Sequence, residues 1–304
     1  MTRSRSKYRR LMRLSAASII TIGVALPVFF GATDASADVA NVPSSAFYLD
    51  LGASESVGFQ PTPTRPDGRP TSNGYANDLV AYEASRGVTL QMTQLGCPGE
   101  STASMISGGD SCYRNLTSQL AQAVSFLQAH YNDAGIVSID LGFNNVAVCI
   151  RNHQVEASCV SSQLAAVAQD MPMILAALKG AAGPQVTFVG LGHYDPFLAS
   201  TFQGPLGSQF ATASADVINR LNGVLRNAYA AASISMAKVG TVFDSHEIGL
   251  VKLAGMGRVQ ENVARVCELT WMCKAAPYGP NIHLDERGYD AIAKAIESAL
   301  PAPW

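Results

Sequence analysis

Five short segments of mostly apolar or alternating character recur along the chain. They cover residues 47–51, 88–95, 135–141, 186–191 and 240–243. Several of them are nearly continuous apolar runs, which is typical of parallel strands whose two faces are both covered. We therefore predict five strands in a buried sheet.

Between these segments, apolar residues recur at steps of three and four, the spacing of one helix face. Two such stripes cover residues 164–178 and 217–228. Pro172 lies within the first stripe, and we expect a kink there because proline removes a helical hydrogen bond. Strands that alternate with helices predict a three-layer α/β/α sandwich around a mostly five-stranded parallel sheet.

The N-terminus differs in composition from the rest of the chain. A basic head, MTRSRSKYRRLMR, precedes an apolar stretch and the sequence Ala35-Ser36-Ala37. This pattern predicts a secretory signal peptide over residues 1–37, followed by a single domain over residues 38–304. A retained anchor is the alternative, since the apolar stretch approaches the ~18 residues that span a bilayer. The Arg9-Arg10 pair leaves Sec and twin-arginine export both open.

Charge and size narrow the class of protein further. The chain has 304 residues, of which 48% are hydrophobic, and a formal net charge of -2. The hydrophobic fraction is large enough for a sizeable core. The chain has no excess of basic residues, which a nucleic-acid-binding protein would need. We expect a monomer, secreted or associated with the cell wall, with no nucleic-acid partner and no membrane span after signal cleavage.

All six cysteines follow the predicted cleavage site, and an even number in an exported chain indicates disulfides. Of fifteen possible pairings, the simplest joins sequence neighbours: Cys97 with Cys112, Cys149 with Cys159, and Cys267 with Cys273. A metal site is the alternative. It is disfavoured because the chain has no Cys-x-x-Cys and no histidine at zinc-finger spacing.

Ser54 follows the first predicted strand directly, in Gly52-Ala53-Ser54. Sites in open α/β sheets form at the carboxyl ends of strands, so Ser54 is a candidate nucleophile, although serine is also common in ordinary turns.

A nucleophilic serine needs a base, and the chain offers five histidines. We expect His130 and His153 at the surface and His193 in a pocket wall. His246 follows the fifth predicted strand. His283 stands on a loop before a C-terminal helix, free to point into the site.

Four stretches occur in the order of the sequence blocks of the SGNH (GDSL-type) hydrolases, and the chain resembles that family. The stretches are LGASESVG, QLGCPGEST, IDLGFNN and NIHLDERGYDAIA. GHYDPFLAS and VARVCELTWMC, with the cysteine pairs, resemble its secreted actinobacterial esterase/lipase branch. The resemblance implies the flavodoxin-like α/β/α fold of these enzymes, hydrolysis of a small-molecule or lipid ester, and no metal or organic cofactor.

The resemblance also assigns roles to four residues. Ser54 takes the position of the nucleophile and His283 that of the base. The oxyanion hole is formed by the main-chain N–H groups of Ser54 and Gly99 and by the side-chain amide of Asn144. Two alternatives remain, since Gly99 is also compatible with a simple turn and Asn144 with a helix cap.

Two positions depart from the family pattern. Ala53 replaces the aspartate of Gly-Asp-Ser, and Pro280 stands where the family usually has the aspartate that orients the base. We therefore predict a Ser54–His283 dyad, with a main-chain oxygen near Pro280 accepting the Nδ1 proton. Asp285 is predicted to cap the C-terminal helix.

Three classes of function remain open from the sequence. The first is a secreted serine esterase or lipase acting on lipid or short-chain acyl esters. The second is an enzyme that removes or transfers acetyl or acyl groups on cell-wall polysaccharide, and the third is a non-catalytic surface binding protein. Residues 60–74 and 244–283 are expected to set the pocket depth. Trp271 and Tyr278 either line an acyl groove or belong to the core.

Overall fold

The computed structural model describes residues 44–109, 111–113 and 117–301. The predicted signal peptide and its cleavage site lie outside these residues. The described strands are β1 (Ser45–Gly52), β2 (Gln60–Thr62), β3 (Arg65–Arg69), β4 (Thr89–Gln94), β5 (Gly135–Asp140), β6 (Ile150–Arg151), β7 (Gln154–Val155), β8 (Val186–Leu191), β9 (Ser235–Ala237), β10 (Leu250–Leu253) and β11 (Gly257–Gln260). The described α-helices are α1 (Tyr75–Ser85), α2 (Thr102–Ser107), α3 (Gln119–Ala129), α4 (Phe143–Ala147), α5 (Ala157–Ala181), α6 (Pro205–Ala231), α7 (Val239–Val242), α8 (Glu261–Leu269) and α9 (Glu286–Glu297). A 3₁₀ helix covers Pro196–Gln203.

The central sheet has five strands in the order β4-β1-β5-β8-β9, and every neighbouring pair is parallel. Numbered by their appearance in this sheet, the strands follow the flavodoxin-like order 2-1-3-4-5. The strand order reverses between β1 and β5, and open α/β sheets bind ligands beyond the carboxyl ends of strands at such a point. The predicted parallel sheet is confirmed.

Side chains alternate between two hydrophobic layers, because successive residues of a strand face opposite sides of the sheet. Phe47, Leu49 and Leu51 of β1 pack in a cluster with residues of α3, α5 and α6. Ala46 and Tyr48 of the same strand pack in a second cluster with residues of α1 and α9. The helices therefore cover both faces, which gives the predicted three-layer sandwich.

Four of the five predicted sheet strands are confirmed, and the fifth is wrong. Residues 240–243 lie largely in the short helix α7, whereas the fifth strand, β9, comes a few residues earlier. A short apolar run does not by itself distinguish strand from helix. The strand that does form, Ser-Met-Ala, is too short to show a pattern. Both predicted helical stripes are confirmed within α5 and α6, and α5 continues through Pro172 as one helix.

The two segments expected to set the pocket depth contain short hairpins. Within residues 60–74, β2 and β3 pair in antiparallel fashion, and within residues 244–283, β10 pairs with β11. Among the described helices, α5 alone is long and apolar enough to cross a bilayer by length and composition. Its buried residues, spaced along one face, pack in the hydrophobic core.

The structure joins the six cysteines in the sequential pairs. Cys97 is bonded to Cys112, Cys149 to Cys159 and Cys267 to Cys273. No cysteine is left free to bind a metal. Each bridge closes a short loop of 15 residues or fewer.

Two leucines of α6 provide a matched test of the core. Leu221 is 0% exposed and Leu206 is 78% exposed. We expect Leu221→Ala to lower the free energy of unfolding by about 2–5 kcal/mol, because it removes buried methyl groups and leaves a cavity. Leu206→Ala should change it by less than about 0.5 kcal/mol. Urea unfolding followed by circular dichroism measures both, and equal effects would contradict the described burial of α6.

Candidate active site

The turn after β1 is held tightly against the end of β5. Ala53 N donates to the main-chain oxygen of Asp140 at 3.1 Å. Gly52 has φ +146°, and a Cβ atom there would lie 2.3 Å from that same oxygen. Only glycine allows the two strand ends to approach this closely. The position of Ser54 therefore depends on Gly52.

Gln119, at the start of α3, binds both main-chain groups of Gly52. Gly52 N donates to Gln119 Oε1 at 2.7 Å, and Gln119 Nε2 donates to Gly52 O at 3.0 Å. Gln119 Nε2 also donates to Glu100 Oε2 at 2.8 Å. Because Gln119 is fully buried, these bonds are made away from solvent. Sequence reasoning missed this residue, since it lies 67 positions from Gly52.

The structure brings Ser54 and His283 together. His283 Nε2 lies 3.0 Å from Ser54 Oγ, although 229 positions separate them in the chain. This distance is within the hydrogen-bond range expected of a nucleophile and its base. Three of the other histidines lie elsewhere: His130 contacts Asp133, His246 is exposed, and the ring of His153 packs at a tilt against Phe210.

The group that orients His283 differs from the prediction. His283 Nδ1 lies 2.7 Å from Oδ1 of Asn281, so a side-chain amide, and not a main-chain oxygen near Pro280, contacts this nitrogen. His283 N also donates to Asn281 Oδ1 at 3.0 Å. A main-chain N–H can only donate, so this amide atom is the oxygen and the proton is on Nδ1.

The physical reason for this correction is local. An asparagine side chain folds back readily onto the main-chain N–H two residues later, as in an Asx turn. In Asn281-Ile282-His283 that fold also places Oδ1 against the imidazole. The Asn-x-His spacing was the signal in the sequence that could have identified Asn281.

Contacts from three directions hold the His283 loop. Trp271 N donates to His283 O at 3.0 Å, and Tyr194 Oη donates to Ile282 O at 2.7 Å. The ring of Phe59 packs on the imidazole with 4.7 Å between centroids. Asp285 accepts from the N–H groups of the first turn of α9, which confirms the predicted helix cap.

The three residues predicted to supply the oxyanion donors, Ser54, Gly99 and Asn144, line the same cavity as His283. Among the described residues, no protein atom accepts a hydrogen bond from the main-chain N–H of Ser54 or Gly99. Gly99 has φ +90°, and the space beside its Cα is open. Asn144 Nδ2 donates one hydrogen to Glu100 O at 3.0 Å, and an amide nitrogen carries a second hydrogen. The arrangement offers three neutral donors.

One cavity of about 220 Å³ is lined by Ser54, Gly99, Asn144 and His283. Its remaining walls are Glu55, Phe59, Pro98, Phe143, Tyr194 and Ile282. Neither Trp271 nor Tyr278 lines this cavity, and their rings lie 5.6 Å apart in contact with each other. Both are half-buried, so neither of the two interpretations predicted for them describes their position.

Burial controls the ionisation of the site. It lowers the pKa of His283 to about 4, because removal from water disfavours the charged imidazolium. Among the described residues, no charged group offsets this effect, and the partner of Nδ1 is a neutral amide. The imidazole is therefore neutral, with its Nε2 lone pair free to accept a proton from Ser54.

Behind Ser54 lies a group of three ionisable side chains, Glu55, Asp140 and His193. One ligand atom of each lies within 4.8 Å of the others. Burial, together with the nearby charge of Asp140, raises the pKa of Glu55 to about 8. Burial also raises the pKa of Asp140, and His193 opposes that rise. His193 is buried and does not line the cavity at Ser54, so its predicted place in the pocket wall is wrong. Its ring packs instead against Phe143, which does line the cavity.

Three solved structures share this fold. A phospholipase A1 from Streptomyces albidoflavus has a TM-score of 0.54 and 18% identity, covering 84% of this chain and 99% of its own. An extracellular lipase from Streptomyces rimosus has a TM-score of 0.53 and 18% identity, covering 84% and 100%. A protein from Parabacteroides merdae described as a GDSL-like lipase has a TM-score of 0.50 and 15% identity, covering 85% and 97%.

These likenesses confirm the predicted fold class: the chain has the α/β/α fold seen in GDSL-type lipase structures. No protein-family model and no curated protein matches the sequence. The roles of the individual site residues therefore depend on the geometry of this chain.

We predict that His283 titrates near pH 4, well below the ordinary histidine value of about 6.5. Because its pKa is lower in the folded than in the unfolded chain, its contribution to stability is complete above pH 6.5 and is lost on acidification towards pH 4. Asn281→Asp should raise the pKa by at least about one unit, since a carboxylate favours the imidazolium. NMR of the histidine rings measures both values.

The control for this titration is Asn152→Asp, which adds the same charge at an exposed position away from the ring. It should leave the titration of His283 unchanged. A wild-type value near 6.5, or no upward shift in Asn281→Asp, would contradict the described environment of the imidazole.

Proposed function

We propose that the protein is a secreted serine esterase of the SGNH type, which hydrolyses carboxylic esters through an acyl-enzyme. The observation that carries the proposal is the 3.0 Å contact between Ser54 Oγ and His283 Nε2, in a cavity that Gly99 and Asn144 also line. The fold shared with the lipases is consistent with this activity but does not by itself define it. The three disulfides and the N-terminal sequence support export.

In the first half of the reaction, Ser54 Oγ attacks the ester carbonyl while its proton moves to His283 Nε2. The oxygen that becomes negative is stabilised by the N–H groups of Ser54 and Gly99 and by Asn144. His283 then gives its proton to the leaving alcohol, and the acyl group remains on Ser54. In the second half, water attacks the acyl group with His283 again as base, and the free acid leaves.

Asn281 acts as the positioning residue for the base. Its amide oxygen accepts the Nδ1–H and so keeps the Nε2 lone pair directed at Ser54. Unlike the aspartate of a Ser-His-Asp triad, it carries no charge to stabilise the imidazolium. The proposed site is therefore a Ser54–His283 dyad oriented by a neutral side chain.

The cavity favours small substrates. Its volume of about 220 Å³ is below the ~300–1,000 Å³ of sites for drug-sized ligands. Glu55 lies in the wall beside the nucleophile, whereas Phe59 and Phe143 supply apolar surface. We propose a short acyl group as the preferred acid portion of the ester.

Ser54→Ala should lower kcat for p-nitrophenyl acetate by at least about 10³-fold, because the nucleophile is lost. His283→Gln should lower kcat by a comparable factor, because the serine and the histidine act as a unit and removing either one disables both. Initial rates on the purified mature protein measure these losses. Circular dichroism checks that each variant is folded.

Ser107→Ala and His246→Gln are the matched controls, because both residues are exposed and outside the cavity. They should retain wild-type rates. Turnover that survives in Ser54→Ala would show that the nucleophile is assigned incorrectly.

Variants of the adjacent residues Asn144 and Asn145 distinguish an asparagine with a proposed catalytic role from one with a structural role. Asn144→Ala should lower kcat by about 10²–10³-fold, because it removes one oxyanion donor, and it also removes the hydrogen bond to Glu100 O. Asn145 instead accepts from Thr102 N and donates to Thr102 Oγ1. Asn145→Ala should therefore lower the free energy of unfolding by about 1–3 kcal/mol, since it leaves a buried donor unpaired. Steady-state kinetics and urea unfolding of both variants test the distinction.

A panel of p-nitrophenyl esters of increasing acyl length defines the substrate. We expect kcat/KM to be highest for acetyl or butyryl esters and to fall for long chains. A maximum at long acyl chains would contradict the assignment of the cavity as the acyl site. Parallel product analysis on acylglycerols and on acetylated oligosaccharides distinguishes a lipid esterase from a polysaccharide esterase.

A further inference from the structure

The cluster of Glu55, Asp140 and His193 has no part in the proposed reaction, although it lies directly behind the nucleophile. From its geometry we propose that these three side chains form a binding site for one divalent transition-metal ion, such as Zn²⁺. The proposal depends on their mutual distances and on a buried carboxylate oxygen without a partner, and it does not depend on the esterase mechanism.

His193 presents one nitrogen for coordination. Its Nε2 lies 2.9 Å from the main-chain oxygen of Leu141. A carbonyl oxygen can only accept, so Nε2 carries the proton and Nδ1 is left with a lone pair in the neutral ring. Metal-binding histidines commonly donate their other N–H to a carbonyl or carboxylate, which fixes the ring in this way.

Asp140 faces that nitrogen at a distance suited to a shared ion. Its Oδ1 lies 3.6 Å from His193 Nδ1, which is longer than a hydrogen bond. Two ligands at metal bond lengths of ~2.0–2.2 Å in tetrahedral geometry lie roughly 3.3–3.6 Å apart. The measured separation therefore fits two ligands of one ion better than a direct ion pair.

The second oxygen of Asp140 gives an independent indication. Asp140 is 2% exposed, and its Oδ2 has no hydrogen-bond partner among the described residues. A buried carboxylate oxygen without a partner is costly, and buried charges in proteins are normally paired or bound to a metal. A cation within the cluster would satisfy this carboxylate.

Glu55 supplies the third ligand and a path for entry. One of its carboxylate oxygens lies within 4.8 Å of the ligand atoms of Asp140 and His193, and the residue also lines the cavity at Ser54. One imidazole with two carboxylates suits Zn²⁺ or Mn²⁺ better than Ca²⁺, which prefers oxygen ligands alone. Three protein ligands are also the number that leaves a coordination position open.

The test is a calorimetric titration of the mature protein with Zn²⁺, after removal of metal with a chelator. We expect one ion per chain, and we expect Glu55→Gln and Asp140→Asn each to weaken the Kd by at least tenfold. Gln is isosteric with Glu, so Glu55→Gln keeps the packing and decides the question if Asp140→Asn fails to fold. Zn²⁺ should also raise the Tm of the wild type but not that of Glu55→Gln.

His130→Gln is the control, because His130 and Asp133 form a separate, exposed pair that could also bind Zn²⁺. It should retain the wild-type Kd. Visible absorption of bound Co²⁺ in the wild type should show a low-coordinate nitrogen and oxygen site that is lost in Glu55→Gln. The proposal is overturned by the absence of stoichiometric binding, by a Kd unchanged in Glu55→Gln, or by loss of binding in His130→Gln.

Discussion

The site depends on the close approach of two parallel strands at their carboxyl ends. Gly52 packs against the main chain of Asp140 so closely that a side chain is excluded, and Gln119 binds both main-chain groups of Gly52 from the other side. This contact sets the path of the turn that presents Ser54. It also brings Glu55 close to Asp140, so the proposed nucleophile and the ionisable cluster depend on the same geometric constraint.

A second feature is that a neutral amide, that of Asn281, orients the imidazole of the proposed base, His283. An aspartate in this position would raise the pKa of the imidazole and stabilise its charged form, whereas Asn281 fixes its direction without adding charge. Burial then keeps His283 neutral over a wide range of pH. The cost is weaker stabilisation of the imidazolium that forms during proton transfer. The three oxyanion donors are correspondingly more important to the proposed reaction.

Much of the fold could be predicted because its signals are local. The apolar runs of β1, β5 and β8 reflect burial on both faces, whereas the edge strand β4 is only partly buried. The stripes of α5 and α6 reflect one buried helix face. Asp285 was identifiable as a helix cap, since that interaction lies within three residues. The fifth strand was misplaced because β9 has only three residues, and its burial depends on pairing with β8. The hairpin within residues 60–74 also gave no clear pattern, because both strands are short and only β2 is buried, whereas β3 is mostly exposed.

The sequence alone determined the parallel α/β architecture. Through the resemblance of four short motifs to a known family, it also identified four candidate site residues, Ser54, Gly99, Asn144 and His283. Each of those signals is contained within a few neighbouring residues. Only the tertiary structure decided which groups meet: Nε2 of His283 with Ser54, Gln119 with Gly52, and His193 with Asp140. Such contacts join residues that lie tens to hundreds of positions apart, and their geometry follows from strand order and packing, which no local pattern records.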